Sequence, residues 1–283
     1  MNSIYQKLAV TAASAVVSLT IVEANPLVNM PTAMAATTLF DGSGLPDSAG
    51  WNLNSFVDEP EDSTITVVPQ SGGDLSDVLS VSTTGRAVHL YSKNVGATNY
   101  IISMGVRVLR SSFNSYDWGL GLSPFAQQVF TPSGEFLFSY PDRVNSLTIG
   151  EGSIQWSDLI GGSFVLDTSV FHEYAISYID NKLNVYVDSS FDDIAAGTAV
   201  PLLTRTRVSP NPNEVGIVAF GDQSNDGFEP FNCCVNSAYQ LNFVKFRSVP
   251  TIAVPEPNAV SALIFLGLSG LLMKKKLVSS RRA

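Results

Sequence analysis

The chain has 283 residues, a formal net charge of −9 at pH 7 and a sequence pI near 4.6. That acidic balance argues against nucleic acid as a partner, because phosphates need a basic surface. The only cysteines, Cys233 and Cys234, are adjacent. Neighbouring Cα atoms lie about 3.8 Å apart, short of the usual disulfide window of about 4.4–6.8 Å, so two buried thiols, a strained vicinal bridge and a bond to another chain all stay open.

The start of the chain reads as a secretory signal. Lys7 supplies the basic n-region and an Ala- and Val-rich apolar stretch follows from Leu8 to Val22. Two small-residue cleavage sites compete, Val22-Glu23-Ala24 and Ala33-Met34-Ala35, and the acidic Glu23 favours the second. Residues 1–35 are therefore expected to be a signal peptide, and the remainder to fold outside the cytoplasm.

Residues 36–249 form the expected body, with 23 acidic residues against 10 basic ones. Its length suits one β domain. The periodicity is that of strands, with runs at 64–68, 78–81, 87–91, 100–110, 118–122, 136–140, 146–149, 153–156, 200–208, 215–220 and 239–247. Turn clusters such as Ser71-Gly72-Gly73-Asp74, Pro132-Ser133-Gly134 and Gly161-Gly162-Ser163 separate them. With no amphipathic helix of usable length and no fixed-period repeat, the expected fold is an all-β sandwich or barrel, not a propeller or solenoid.

The clearest local signal lies between Phe171 and Asp188. Tyr174, Ile176 and Tyr178 alternate on one face of a strand, as Leu183, Val185 and Val187 do on the next, with Asp180-Asn181-Lys182 between. This hairpin resembles the central one of laminin-G and concanavalin-A-like jelly rolls, whose second strand ends in Tyr-Val-Asp-Gly; here Ser189 stands in place of that glycine. The resemblance implies a jelly-roll β-sandwich in which Leu39-Phe40-Asp41 and Trp51-Asn52 open the fold close to a last strand over Leu241–Phe246. It also implies a carbohydrate-binding or glycan-cleaving role.

Glycoside hydrolysis needs two carboxylates about 5–5.5 Å or 6.5–9.5 Å apart. The glucanases of such jelly rolls carry them as Glu-x-Asp-x-x-Glu on one strand, a spacing this chain lacks, and Asp58-Glu59-Pro60-Glu61-Asp62 reads as a solvated loop. His89 and His172 sit in strand patterns without further ligands at zinc spacing and are expected to be structural. There is no Gly-x-Ser-x-Gly elbow and no phosphate loop. The body is accordingly expected to be non-enzymatic, with no catalytic residue. The best candidate site is the stretch Gly221–Glu229, where Asp222, Ser224 and Asp226 alternate before Gly227 like the first half of a calcium loop. Cys233 stands where the bidentate Glu would belong, so calcium is the one cofactor the pattern suggests, against a plain polar loop. Trp118 and Phe228 are candidate ligand-stacking aromatics, with Tyr140 and Trp156 beside them; the alternative for each is a place in the core.

The chain ends with Val254-Pro255-Glu256-Pro257, an uncharged apolar run over residues 259–273, and a basic flank of Lys274, Lys275, Lys276, Arg281 and Arg282. Fifteen helical residues cover roughly 22 Å, short of a hydrocarbon core of about 30 Å, and snorkelling lysines extend the span. The one-sided basic flank marks the cytoplasmic side, which leaves Val254 facing outward. These features resemble the PEP-CTERM sorting tail of exopolysaccharide-producing Gram-negative bacteria, although Leu277–Ser280 split a basic cluster that the family often keeps compact. The resemblance implies recognition by the membrane enzyme exosortase, cleavage near Pro-Glu-Pro and delivery to the cell surface or matrix. Residues 250–283 are the expected tail, with a transmembrane segment at 259–273. The whole reads as an exported surface or matrix protein associated with exopolysaccharide. A purely structural matrix or adhesion protein and a divergent glycoside hydrolase are the alternatives.

Overall fold

A computed structural model describes residues 35–56, 63–69, 77–83, 88–111, 120–142, 144–208, 211, 214–223 and 237–250. The signal segment, the sorting motif with its membrane run and basic flank, the acidic stretch 58–62 and Cys233-Cys234 lie outside these residues. Among the described residues, no helix is long and apolar enough to cross a membrane.

The all-β sandwich expected from the sequence is what the chain forms. One antiparallel sheet, A, has the order β15 (Leu203–Thr206), β14 (Lys182–Val187), β13 (His172–Ile179), β6 (Tyr100–Ser111), β17 (Ser237–Ser248), β4 (Val78–Thr83) and β3 (Ser63–Val68). The first strand, β1 (Thr37–Phe40), also pairs with β17, so the two ends of the body meet as expected. Sheet B has the order β12 (Ser163–Val165), β11 (Ser153–Trp156), β10 (Leu147–Gly150), β7 (Leu120–Ser123), β16 (Ile217–Gln223), β5 (Val88–Asn94) and β2 (Asn52–Phe56). The arrangement is jelly-roll-like.

Alternation along the strands builds one core between the sheets. Ile102, Met104, Tyr174, Ile176 and Val185 from sheet A and Leu120, Leu122, Ile149, Ile154 and Phe220 from sheet B share a single buried cluster. Phe220 packs edge-on to Trp51, centroids 4.8 Å apart, and stacks on Tyr91 at 5.3 Å. Tyr178 sits between Phe125 and Tyr100.

The 172–187 hairpin closes through Asp180-Asn181, both at positive φ (50° and 65°), which places Lys182 inside β14. Such a two-residue turn matches the right-handed twist of its strands. After β14, Asp188 itself takes φ 52°. Its carboxylate accepts from the Glu173 amide at 2.9 Å and meets His172 Nδ1 at 2.6 Å, so this pair ties the start of β13 to the end of β14.

Four elements are absent from the sequence reading, the first a 3-10 turn at Pro46–Ala49. A short helix, α1 (Phe191–Ala196), is capped by Ser190 and lays Phe191 and Ile194 on Ile101, Ala175 and Tyr186, on the outer side of sheet A. Its six residues are too few to show a helical period against the surrounding β pattern. The edge strand β12 is three exposed residues long. The strand β8 (Ala126–Phe130) pairs with β9 (Phe136–Pro141) as a separate two-stranded hairpin.

Candidate functional site

Two features concentrate chemistry. The first is the end of the sandwich from which the β2–β3, β4–β5, β6–β7 and β16–β17 connections leave. In sheet A, Ser63, Thr83, Ser237 and Ser111 lie in one row, each the register partner of the next. In sheet B, His89 and Asp222 are register partners on β5 and β16. Alternation puts both on the inner side with Tyr91 and Phe220, so each reaches across to sheet A. Ser63 Oγ meets His89 Nε2, and Thr83 Oγ1 donates to Asp222 Oδ2. Two polar ties therefore cross the interior at this end.

Thr83, Asp222 and Ser237 are fully buried, and His89 is 4% exposed. Ser63 is half-buried. Burial holds the His89 imidazole below its ordinary 6.5, so the ring is neutral at neutral pH. The phenol of Tyr239, wholly enclosed, is pushed well above 10 by burial first and then by the nearby Asp222 and Tyr91. The hydroxyl stays protonated.

The second feature is the β8–β9 hairpin. Gln128 donates to Ser92 Oγ at 3.0 Å and Asn54 donates to the Ser139 carbonyl at 3.2 Å, so the Gln128–Ser139 pair faces sheet B. The neighbouring pairs, Gln127–Tyr140 and Val129–Phe138, consequently face away. Phe138 and Tyr140 then lie on one side of β9, about 7 Å apart, while the Phe130–Phe136 pair follows a register shift between Val129 and Phe130. Phe138 and Tyr140 meet edge-on at 4.7 Å, as Phe130 and Phe136 do at 5.8 Å. Tyr140 is 56% exposed and Phe130 47%. A row of ring edges and faces open to water is a platform for CH-rich faces such as those of sugar rings.

No protein-family model matches the chain, and no curated protein does. Several solved structures align with most of the chain. A carbohydrate esterase from the Shiga toxin-encoding bacteriophage phi24B is 10% identical, with 76% of this chain and all of that one covered at a TM-score of 0.45. The exoplasmic/lumenal domain of VIP36, in a Ca2+/Man3GlcNAc-bound form, is 11% identical over 78% of this chain and 92% of its own, TM-score 0.35. An endo-1,3-beta-glucanase from Streptomyces sioyaensis is 12% identical over 77% and 97%, TM-score 0.37. With identities of 10–12% and TM-scores below 0.5, this likeness by itself assigns neither fold nor function.

These comparisons correct the expectation of a non-enzymatic body. Two of the three structures are carbohydrate-active enzymes. The missing Glu-x-Asp-x-x-Glu spacing speaks only to one catalytic arrangement on one strand. Residues brought together from different strands, as at the loop-bearing end, leave no such spacing in the sequence.

The expected site residues part company in the structure. Asp222 is a strand residue, the last but one of β16, with its carboxylate bound inside the sandwich, so the first residues of the expected loop, Gly221–Gln223, belong to a strand. Ser224, Asp226, Phe228 and Trp118 lie outside the described residues. Among the described residues, no three of His, Cys, Asp or Glu gather as a metal set. Trp156 is completely buried, with the Arg205 guanidinium 5.1 Å from its ring, and belongs to the core. Among the described residues, Tyr140 is the one stacking candidate found exposed. His89 was expected to be structural; its contact with Ser63, 26 residues away, had no sequence signal.

Proposed function

We propose that this chain is an exported surface or matrix protein that contacts polysaccharide through the outward face of the β8–β9 hairpin. The observation that carries the reading is the pair Phe138 and Tyr140 on the outward side of the hairpin, with Tyr140 and the nearby Phe130 open to solvent although the chain has a large core in which to bury aromatics. The jelly-roll-like fold supports it, as a scaffold that solved carbohydrate-binding and carbohydrate-active proteins also use.

A glycan array probed with the full chain, including exopolysaccharide from its own host, tests the reading. Saturable binding is expected, with a Phe138→Ala/Tyr140→Ala variant about fivefold to a hundredfold weaker, since each stacked ring contributes on the order of 0.5–1.5 kcal/mol. Unchanged binding by the variant would move the contact off the hairpin, and no binding by the wild type would leave a structural matrix role. A repeat with chelator reads calcium. Loss of binding would send attention to Ser224 and Asp226.

The export and sorting part of the proposal rests on the sequence: the signal-like start, Val254-Pro255-Glu256-Pro257, the apolar run and the basic flank. Exosortase-type processing predicts that protein extracted from the cell surface lacks the run 259–273 and ends near Glu256. Intact mass spectrometry decides this. A surface form that retains Lys274–Lys276 would count against sorting by cleavage.

A further inference from the structure

We propose that Ser63, His89 and Asp222 form a hydrolytic site for carboxylic esters at the loop-bearing end of the sandwich, with Ser63 Oγ as the nucleophile. The site is distinct from the hairpin platform, and its test does not depend on glycan binding there. A serine hydroxyl becomes a useful nucleophile when a neutral imidazole lies within hydrogen-bond reach and a third group steadies that imidazole. Ser63 and His89 meet the first condition, and Asp222, buried opposite His89, is the group assigned to the second. Ser63, from the start of β3, touches His89 Nε2, from β5. Asp222 stands opposite His89 on β16, where directly paired side chains lie about 4.5–5.5 Å apart at Cβ.

Exposure falls in the order that such a relay needs. Ser63 is half-buried and within reach of solvent, His89 is 4% exposed behind it, and Asp222 is fully buried. Thr83 holds one carboxylate oxygen of Asp222, which fixes the acid in place. Ser63 on β3 meets His89 directly, Asp222 on β16 is its register partner, and Thr83 on β4 binds that carboxylate. Burial keeps the imidazole unprotonated at neutral pH, as a general base must be.

The chemistry closes on residues and water alone. With its ring proton on Nδ1, His89 accepts the Ser63 proton at Nε2 while Ser63 Oγ bonds to the ester carbonyl carbon. The C–O bond to the leaving group breaks, and the imidazolium returns the proton to the departing alkoxide, which leaves as an alcohol. Water then gives a proton to His89 and adds to the acyl carbon. Ser63 Oγ leaves, regains its proton from Nε2, and a carboxylic acid is released. Esters are the acyl class that a serine–imidazole pair attacks with least assistance, because an alkoxide departs more readily than an amine.

The test treats the full chain with a fluorophosphonate, which phosphonylates activated serines, and locates the adduct by peptide mass spectrometry. Hydrolysis of p-nitrophenyl acetate is followed in parallel. One adduct on Ser63 is expected, with ester turnover lost in Ser63→Ala. Turnover should fall about 100-fold or more in His89→Gln, the scale of a lost general base. Labelling should rise with pH through a midpoint below 6.5, because the base is active only when unprotonated. Wild-type protein that takes no label, or takes it on another serine, overturns the proposal. So does a Ser63→Ala variant with wild-type turnover. Labelling of the wild type needs no mutation, so it tests the site even where His89→Gln fails to fold.

Discussion

Gly221→Ala is expected to destabilise the body by about 3–5 kcal/mol, combining the cost of a strained backbone with that of overpacking. Gly221 sits on β16 with φ +133°, a conformation that side-chain-bearing residues rarely adopt. A Cβ there would lie 2.1 Å from the His89 carbonyl oxygen and 3.2 Å from Leu90 Cα, both backbone atoms that cannot turn aside. The glycine is what lets β5 approach β16 next to the His89–Asp222 pair. For a domain of this size each kcal/mol moves the melting temperature by roughly 2–4 °C, so a drop of about 10 °C is expected in thermal unfolding. Gly134→Ala provides the control. That residue has φ +89° in the β8–β9 turn but open space around it, so it carries the strain without the clash. Equal melting temperatures for the two variants would refute the role of close strand approach.

Glu214→Leu is expected to cost about 3 kcal/mol, and Arg207→Met/Glu214→Leu to recover most of that loss. Arg207 is a buried cation with its side chain 1% exposed. It meets Glu214 at 3.0 Å, donates to the Asn211 carbonyl at 3.0 Å and lies 3.7 Å from the Phe125 ring centre. Removing the carboxylate alone strands a buried charge, whereas removing both ions leaves an apolar contact that is often neutral. Glu214 itself is not made strongly acidic by its partner. Burial first, and then Asp142, raise it above 4.5 against the lowering effects of Asn211 and Arg207. Since the folded state then holds this proton more tightly than the unfolded chain, protonating Glu214 as pH falls does not by itself subtract stability. Urea titrations of the single and double variants at pH 7 separate the outcomes. A double variant no more stable than Glu214→Leu would show that the pair is not a buried ion pair of this kind.

How far the sequence led can be followed strand by strand. Where one face of a strand carries large side chains into the core between the sheets and the other carries small or polar ones, as in Tyr174-Ala175-Ile176-Ser177-Tyr178, period-two alternation is the physical consequence, and the strands β6, β9, β11, β13, β14 and β17 could be read directly. The strand β8, Ala126-Gln127-Gln128-Val129-Phe130, escaped because it packs on the outside of sheet B and alternates against a half-wet surface, not a core. Its partner β9 was legible as a strand, yet only the register with β8 tells that Tyr140 and Phe138 point outward while Ser139 points in. Tyr140 and Trp156 were equal as stacking candidates in sequence. Burial separated them.

The sequence by itself determined the β class, the hairpin at 172–187, the closing of the sandwich by its first and last strands, and a strongly acidic body, because these follow from local alternation, turn chemistry and charge. It carries as well the signal-like start and the sorting-like tail, which are linear patterns and need no fold to be recognised. Only the tertiary structure decided which polar residues meet. Ser63 and His89 are 26 positions apart, and Thr83 and Asp222 are 139 apart. Antiparallel register across two sheets brings each pair to one end of the sandwich. A contact made by register between distant strands leaves no spacing along the chain, and that is the physical reason the candidate chemistry at this end could not be read before the strands were paired.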